Sequence, residues 1–547
     1  MKNKTWLIIS ILLLAILIRF IGLENLSPPM NRDEAAIGYN AYSLLETGRD
    51  EHGSSWPLAF KSIGDWKMPG YIYLTMLPVK ILGLTVLATR FWSALAGVIA
   101  VVLLGLIVKQ LSIFKQKKWQ EWLSLLAMFL LAINPWHIHY SRIGFEANVN
   151  LTLFLLALCL FLKGLKKPIY FLGSSLALVM MQFTYSSSFI FLPIFALALL
   201  IIYWPELAKF KSKPILWLSL FILIIGSSLA FLSVLSVSKA KGNISVLASP
   251  TTLDTFNHER VAMQKQNPLF AMLWMNKPFY MGRIIASNYV KIYTPEFLFK
   301  NQNNHPWHIV VGHGYFYLVD GILLLVGLGY LIKNLLQKNK NKKVIWLLLA
   351  WFVISPAASM ITLDAPHATR SLYLIPILIL IISIGAILAT NFLASLIKIK
   401  QTILIYILVL VYLVFLNNFV YTYIYKFPSH YADSLLPGID EAIAYVVPRS
   451  DESLIYFNKV SASPYIYVLF YTQMDPDLVQ NQAKWKGADA IGLSNIEVVD
   501  NYRFIEDEFG GKGEYYFVMQ DSHDQPNLNL EKEIKAYKKI LWQVYKN

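Results

Sequence analysis

The chain is written in long apolar runs separated by short polar stretches. Runs at roughly 5–23, 88–108, 121–134, 147–162, 169–184, 187–203, 215–236, 314–332, 344–361, 370–391 and 402–421 approach or reach the length of a bilayer-crossing helix, which predicts about eleven spans. The two that meet at 185–188 are short enough to form a re-entrant pair instead. Between the first two runs lies a polar, motif-rich stretch. From Glu34, residues Ala35, Ala36, Tyr39, Ala41, Tyr42, Leu44 and Leu45 share one face at helical spacing until Gly48, which predicts an amphipathic helix lying on the membrane. A second such helix is predicted after Pro69. Beyond Pro428 both signs of charge appear. Strand-like runs at Leu454 to Phe457, Ile496 to Val499, Tyr515 to Met519 and Leu541 to Tyr545 predict a small soluble α/β domain there.

The pattern therefore predicts a polytopic α-helical membrane protein with a small C-terminal extracytoplasmic α/β domain. Residues 1–425 form the transmembrane part, with outer loops at 24–87 and 238–312, and 426–547 form the soluble domain. Composition agrees, since 56% of residues are hydrophobic and only 15% charged, outside the soluble balance. The net charge of +15 does not point to nucleic acid. The lysines sit in clusters between apolar runs (Lys2 and Lys4, Lys115 to Lys118, Lys163 to Lys167, Lys209 to Lys213, Lys338 to Lys343, Lys398 and Lys400), and all agree with one orientation whose N-terminus is cytoplasmic. The stretch around Asp33, the turns at 137–146 and 364–369 and everything after Tyr425 then face outward from the plasma membrane. The first run resembles a signal peptide, but no small-residue cleavage site follows it and it is read as a retained helix. Cys159 is the single cysteine, so no intramolecular disulfide forms.

Candidate chemistry gathers on the outer side. Asp33 and Glu34 are adjacent and on a helix point about 100° apart, so one acts and the other supports. Lys67, in the turn Trp66-Lys67-Met68-Pro69, places an ammonium at the membrane surface, where a lipid phosphate needs a cation. Arg142 and Glu146 stand four apart at a span mouth. They read either as a salt bridge or, because Glu146 is where the chain re-enters the apolar layer, as a functional pair. His367 and Arg370 lie at another mouth, and Arg370 offers the fork geometry that suits phosphate. His137 and His139 are weak evidence for a metal. A divalent ion is permitted but not indicated, and no cofactor is required. Gly510 to Gly513 lacks the strand-to-helix context of a nucleotide loop.

The order Arg32-Asp33-Glu34-Ala35 with Tyr39, then Trp66-Lys67-Met68-Pro69 with Tyr71 and Tyr73, then Ala88-Thr89-Arg90-Phe91, resembles the protein O-mannosyltransferase and aminoarabinose transferase family. The likeness continues through His139-Tyr140-Ser141-Arg142 with Glu146 and His367-Ala368-Thr369-Arg370-Ser371-Leu372-Tyr373 with Pro376. It departs at Glu146, an aspartate in many relatives, and at Gly70. These are membrane glycosyltransferases of the GT-C fold, glycosyltransferase family 39. The resemblance implies Asp33 as base on the acceptor, with Glu34 beside it, and Lys67 and Arg370 on the donor phosphate. Tyr39, Tyr71, Arg142, Glu146 and His367 are expected to support the acceptor pocket.

The expected activity moves a sugar from a polyprenyl-phosphate donor to a hydroxyl of a protein, lipid or envelope glycan, with inversion. The expected partners are that donor, its acceptor and membrane lipid, with no nucleic acid. Two other classes stay open: a lipid-linked sugar translocator, and a non-catalytic member of an envelope assembly.

Overall fold

A computed structural model describes residues 2–63, 65–241, 245–300, 306–337, 342–430, 436–450, 453–458, 463–487, 495–505, 514–519, 528–536 and 539–547. The Gly510 to Gly513 run and the first part of the Lys338 to Lys343 cluster lie outside the described residues. Among the described residues, eight helices are long and apolar enough to cross a membrane: Val86–Leu111, Glu146–Gly164, Ser188–Phe210, Pro214–Ser233, Leu318–Leu336, Lys342–Met360, Leu374–Ile397 and Gln401–Tyr425. Lys117–Ile133 and Pro135–Ser141 make a ninth, bent by 58°. The bend follows from sequence, because Pro135 forces Asn134 out of the helical region, to φ −66° and ψ 125°. The apolar helix Lys2–Phe20 and the 15-residue helix Tyr170–Thr184, too short for a straight span, account for the remaining expected runs. The protein is a multi-pass membrane protein.

The contacts divide the chain into two units. The first comprises Met1–Arg19, Leu95–Ser141 and Glu146–Phe419, and the second Phe20–Ala94, Arg142–Phe145 and Val420–Asn547. In the first, helices Leu318–Leu336 and Leu374–Ile397 pack backbone to backbone. A Cβ on Gly327 would overlap the Ile381 carbonyl, and one on Gly385 the Leu323 carbonyl. Close approach through small residues is how helices gain contact where lipid removes the hydrophobic drive. Asn134 donates its side-chain N–H to Tyr315 O at 2.9 Å. Arg19, fully buried, caps the carbonyls of Leu131 and Ala132 at 3.3 and 3.0 Å. That arginine satisfies carbonyls that the Pro135 break leaves without helical partners.

The second unit holds a two-stranded hairpin, β1 (Phe60–Ser62) and β2 (Asp65–Lys67), and a seven-stranded sheet. The sheet contains β3 (Leu454–Phe457), β4 (Lys484–Lys486), β5 (Asn495–Val499), β6 (Tyr502–Phe504), β7 (Tyr515–Met519), β8 (Asn529–Ala536) and β9 (Lys539–Lys546) in the order β4-β5-β6-β3-β7-β9-β8. Central β3 runs parallel to both β6 and β7, and the other pairs are antiparallel. The continuous apolar sequence of β7, buried at all five positions, suits a strand covered on both faces. All four strands expected from sequence are present, within two residues at each end.

Helix Arg32–Thr47 begins and ends where its sequence dictates. Asn31 caps it in a reciprocal box with Glu34, and Gly48, at φ 70°, closes it in the left-handed conformation. Its apolar face is not left open for lipid, as its amphipathic pattern suggested. Ala35, Ala36, Ile37, Tyr39, Asn40, Ala41, Ser43 and Leu44 are buried, and the helix packs on Gly70–Leu82 and on Pro464–Tyr471. The face that the pattern assigned to lipid is covered by protein. The helix expected after Pro69 is present as Gly70–Leu82.

Replacing Gly385 by leucine should destabilise the protein by about 1–3 kcal/mol through overpacking. Gly329→Leu, where an added Cβ meets nothing within 4 Å, should be tolerated. Thermal unfolding in detergent compares the two, and equal midpoints would show that the Gly385 contact is not tight.

Candidate active site

The site is built on the N-terminus of helix Arg32–Thr47. Glu34 is fully buried and each of its carboxylate oxygens is used. Oε1 accepts from Arg90 Nε at 2.7 Å and from the Gly144 N–H at 2.6 Å. Oε2 accepts from Arg90 Nη2 at 2.9 Å and from the Asn31 N–H at 3.1 Å. Arg90, equally buried, gives two further N–H groups to Leu23 O and Pro28 O, both at 2.9 Å. This two-pronged pair fastens the connector after the first helix, the cap of the motif helix and the segment Arg142–Phe145 to one point.

Asp33 has turned the other way. Its side chain is 32% exposed, and its Oδ1 accepts from Lys67 Nζ at 2.7 Å. Lys67 closes β2, opposite Phe60 in the hairpin register, and is 8% exposed. The hairpin thus delivers the ammonium to the start of the motif helix. The two adjacent acids divide as their angular separation requires, Glu34 inward as a structural anchor and Asp33 outward with a cation and access to solvent.

The other expected residues of this unit brace it. Tyr39 donates its hydroxyl to Met474 O at 3.0 Å, and burial, then the charge of Glu51, pushes its phenol well above the ordinary value. Tyr71 donates to Thr89 O at 2.9 Å. Arg142 donates to the carbonyls of Ile21 and Gly22, each at 3.0 Å, and its guanidinium lies over the Tyr423 ring.

In the first unit Glu146 opens the helix Glu146–Gly164. Arg370 Nη1 donates to Asp364 Oδ1 at 2.5 Å and to Thr362 Oγ1 at 3.1 Å, while His367 Nε2 lies 3.5 Å from Asp364 Oδ2. Burial works to raise the Asp364 carboxyl, but Arg370 and then His367 overcome it and hold it below the ordinary value. Nearby, Tyr140 and Thr369 share a 2.7 Å hydrogen bond, and Thr369 meets His308 Nε2 at 3.2 Å. His137 and His139 do not converge. The first meets Arg19 Nη2 at 2.8 Å, and Nε2 of the second meets Trp307 O at 2.7 Å. Among the described residues no group of three or more His, Cys, Asp or Glu is placed to hold a metal ion.

Sequence reasoning quoted Arg90 within a motif but gave it no role, and it did not single out Arg19 or Glu51. An arginine beside or within an apolar run is the signal that could have found the first two. Glu51 carries no such mark, since it sits in an ordinary polar turn.

The solved structure of ArnT from Cupriavidus metallidurans bound to undecaprenyl phosphate aligns over 99% of this chain and 98% of that one, with a TM-score of 0.50 at 11% identity. The chain has the GT-C glycosyltransferase fold. The archaeal oligosaccharyltransferase AglB from Archaeoglobus fulgidus, in complex with an inhibitory peptide and a dolichol-phosphate, aligns at 13% identity with a TM-score of 0.49 over 86% of this chain. This chain spans 63% of the length of that GT-C protein. No family model matches the sequence, and no curated protein sequence matches it.

Removing one member of the buried pair leaves an uncompensated charge, so Arg90→Met should destabilise the protein by about 3–5 kcal/mol. Asp33→Asn, at a half-exposed pair, should change stability by about 1 kcal/mol or less. Thermal unfolding of both variants measures this, and a larger loss for Asp33→Asn would show that Asp33, not Glu34, is the structural anchor.

Proposed function

We propose that the protein transfers a sugar from a polyprenyl-phosphate donor to an acceptor hydroxyl on the outer face of the plasma membrane. The observation that carries this reading is the half-exposed Asp33 carboxylate paired at 2.7 Å with a nearly buried Lys67 in a chain of the GT-C fold. Asp33 takes the proton of the acceptor hydroxyl as that oxygen attacks the anomeric carbon. The bond from that carbon to the phosphate oxygen breaks, and polyprenyl phosphate leaves with its electron pair. Attack opposite the leaving group inverts the anomeric centre.

Lys67 stabilises the charge growing on the phosphate, where a fixed cation in a site of low polarity acts most strongly. When the phosphate draws Lys67 toward itself, Asp33 loses part of its ion pair and becomes the stronger base. Arg370 is assigned as a further phosphate ligand on its fork geometry. Its pairing with Asp364 means that the phosphate must compete with a carboxylate there. That a solved protein of this fold holds undecaprenyl phosphate supports the choice of donor class. Glu34 supports the site without touching the reacting atoms. The identity of the sugar and of the acceptor is left to experiment.

Membrane vesicles supplied with a mixture of polyprenyl-phosphate sugars and native acceptor membranes test this by release of free polyprenyl phosphate, read by mass spectrometry. Wild type should release it, and Asp33→Asn should be slower by on the order of a hundredfold or more. Lys67→Ala should mainly raise the KM for the lipid donor. Equal release by wild type and Asp33→Asn would remove Asp33 from the role of base, and no release by either would return the translocator and assembly readings.

A further inference from the structure

The first unit carries a cavity that the mechanism above does not use, at the end of its helices where the turn Lys209 to Lys213 lies. Helix Tyr170–Thr184 packs on Glu146–Gly164 and on the helix that begins at Pro214. At one end it meets the latter closely, since a Cβ on Gly226 would overlap Val179 and Gln182 Nε2 donates to Ser227 Oγ at 2.8 Å. Toward the other end these helices and Ser188–Phe210 leave about 330 Å³ between them. Small residues such as Ser174, Ala196 and Ser219 make the space, and Phe171 and Leu200 help to wall it.

The walls are almost wholly apolar. Ser174 Oγ donates to Ala157 O at 2.9 Å and Ser219 Oγ to Ile215 O at 2.7 Å, so both hydroxyls are already engaged by backbone carbonyls. Such a space is a poor host for water, which needs two to four polar partners. It suits a hydrocarbon chain.

The mouth has the opposite character. Lys211 stands there, in the turn that joins Ser188–Phe210 to the next helix, with Lys209 and Lys213 flanking it in sequence. Trp217 Nε1 donates to Lys211 O at 2.9 Å and so ties that turn to the start of the following helix. The indoles of Trp204 and Trp217 line the same space and are largely exposed, as aromatic rings are at head-group level. The nearest acid in sequence, Glu206, is paired at 2.5 Å with Lys343. Among the described residues Lys211 has no carboxylate partner, which leaves its ammonium for an anion.

We propose that this cavity binds an anionic phospholipid, with one acyl chain between the helices and the phosphate on Lys211. Basic pockets between membrane helices select anionic head groups, and the turn adds two further lysines to the field. A polyprenyl phosphate shares both the hydrocarbon and the phosphate. Phospholipid is the bulk component of a bilayer, however, and occupies the site by mass action where affinities are similar. The site belongs to the first unit alone and is independent of the roles of Asp33 and Lys67.

The test uses the full-length protein in phosphatidylcholine nanodiscs doped with a probe lipid, either phosphatidylglycerol or phosphatidylcholine, that carries the same photoreactive acyl chain. Mass spectrometry of cross-linked peptides locates the chain. The phosphatidylglycerol probe should label the peptides containing Phe171, Leu200 and Leu220 more strongly than the phosphatidylcholine probe does. Lys211→Gln, at an exposed turn, should cut labelling by the anionic probe roughly fivefold, the effect of one basic residue at an anionic surface, and leave the other probe unchanged. Ala196→Phe fills the space with the lysine turn intact, and should remove labelling of these walls by both probes.

The comparison of the two probes on wild type needs no variant, so it decides even if Ala196→Phe does not fold. Equal labelling by the two probes, or a preference unchanged in Lys211→Gln, would overturn the proposal. Unlabelled polyprenyl phosphate that displaces the probe at a lower mole fraction than unlabelled phosphatidylglycerol would also overturn it, and would assign the cavity to that lipid instead.

Discussion

Glu34 and Arg90 form the contact on which the rest of the site depends. Two fully buried groups of opposite charge, separated by 56 residues in sequence, meet through paired hydrogen bonds and use their remaining capacity on Asn31, Gly144, Leu23 and Pro28. Removing either from water carries a large desolvation cost, and the pair is tolerable because no lone pair of consequence is left unmet. Its contribution is one of specification more than of net stability. With the cap, the connector and the Arg142–Phe145 segment bound to one point, the first turn of the motif helix has a single orientation.

That orientation decides what Asp33 can do. Neighbouring residues of a helix differ in direction by about 100°, so anchoring Glu34 inward leaves Asp33 facing out. The hairpin β1–β2 then sets Lys67 against it at 2.7 Å. The same loop region contains three acids in three settings: one satisfied and structural, one half-exposed and ion-paired, and one, Glu51, fully buried beside His52. Environment, not residue type, separates their roles. This is the usual way a fold obtains different chemistry from identical side chains.

Much of the architecture was legible from hydropathy. The long apolar runs became helices because lipid demands internal backbone pairing, and the C-terminal strands announced themselves by β-branched and aromatic residues. The Asp33, Glu34 and Lys67 cluster was visible as well, through its polarity beside an apolar run. What the local pattern could not supply was any partner remote in sequence. Helix Arg32–Thr47 looked membrane-facing because the segment that covers it, Pro464–Tyr471, lies more than four hundred residues away by the numbering. Tyr39 and Tyr71 looked like pocket residues, yet each hydroxyl is engaged by a backbone carbonyl, Met474 for the first and Thr89 for the second. Glu51 was invisible for the same reason, since its burial is a property of what surrounds it in the fold. Strands β4, β6 and β8 were too short or too polar to stand out.

In the proposed mechanism Lys67 is the movable cation of the site and Glu34–Arg90 its fixed frame. Determining the structure with a polyprenyl phosphate bound tests this most directly. A phosphate oxygen is expected within hydrogen-bond distance of Lys67 Nζ, with the Lys67–Asp33 contact lengthened and the Glu34–Arg90 pair unmoved. A phosphate bound away from Lys67, or a Glu34–Arg90 pair opened by the ligand, would contradict it.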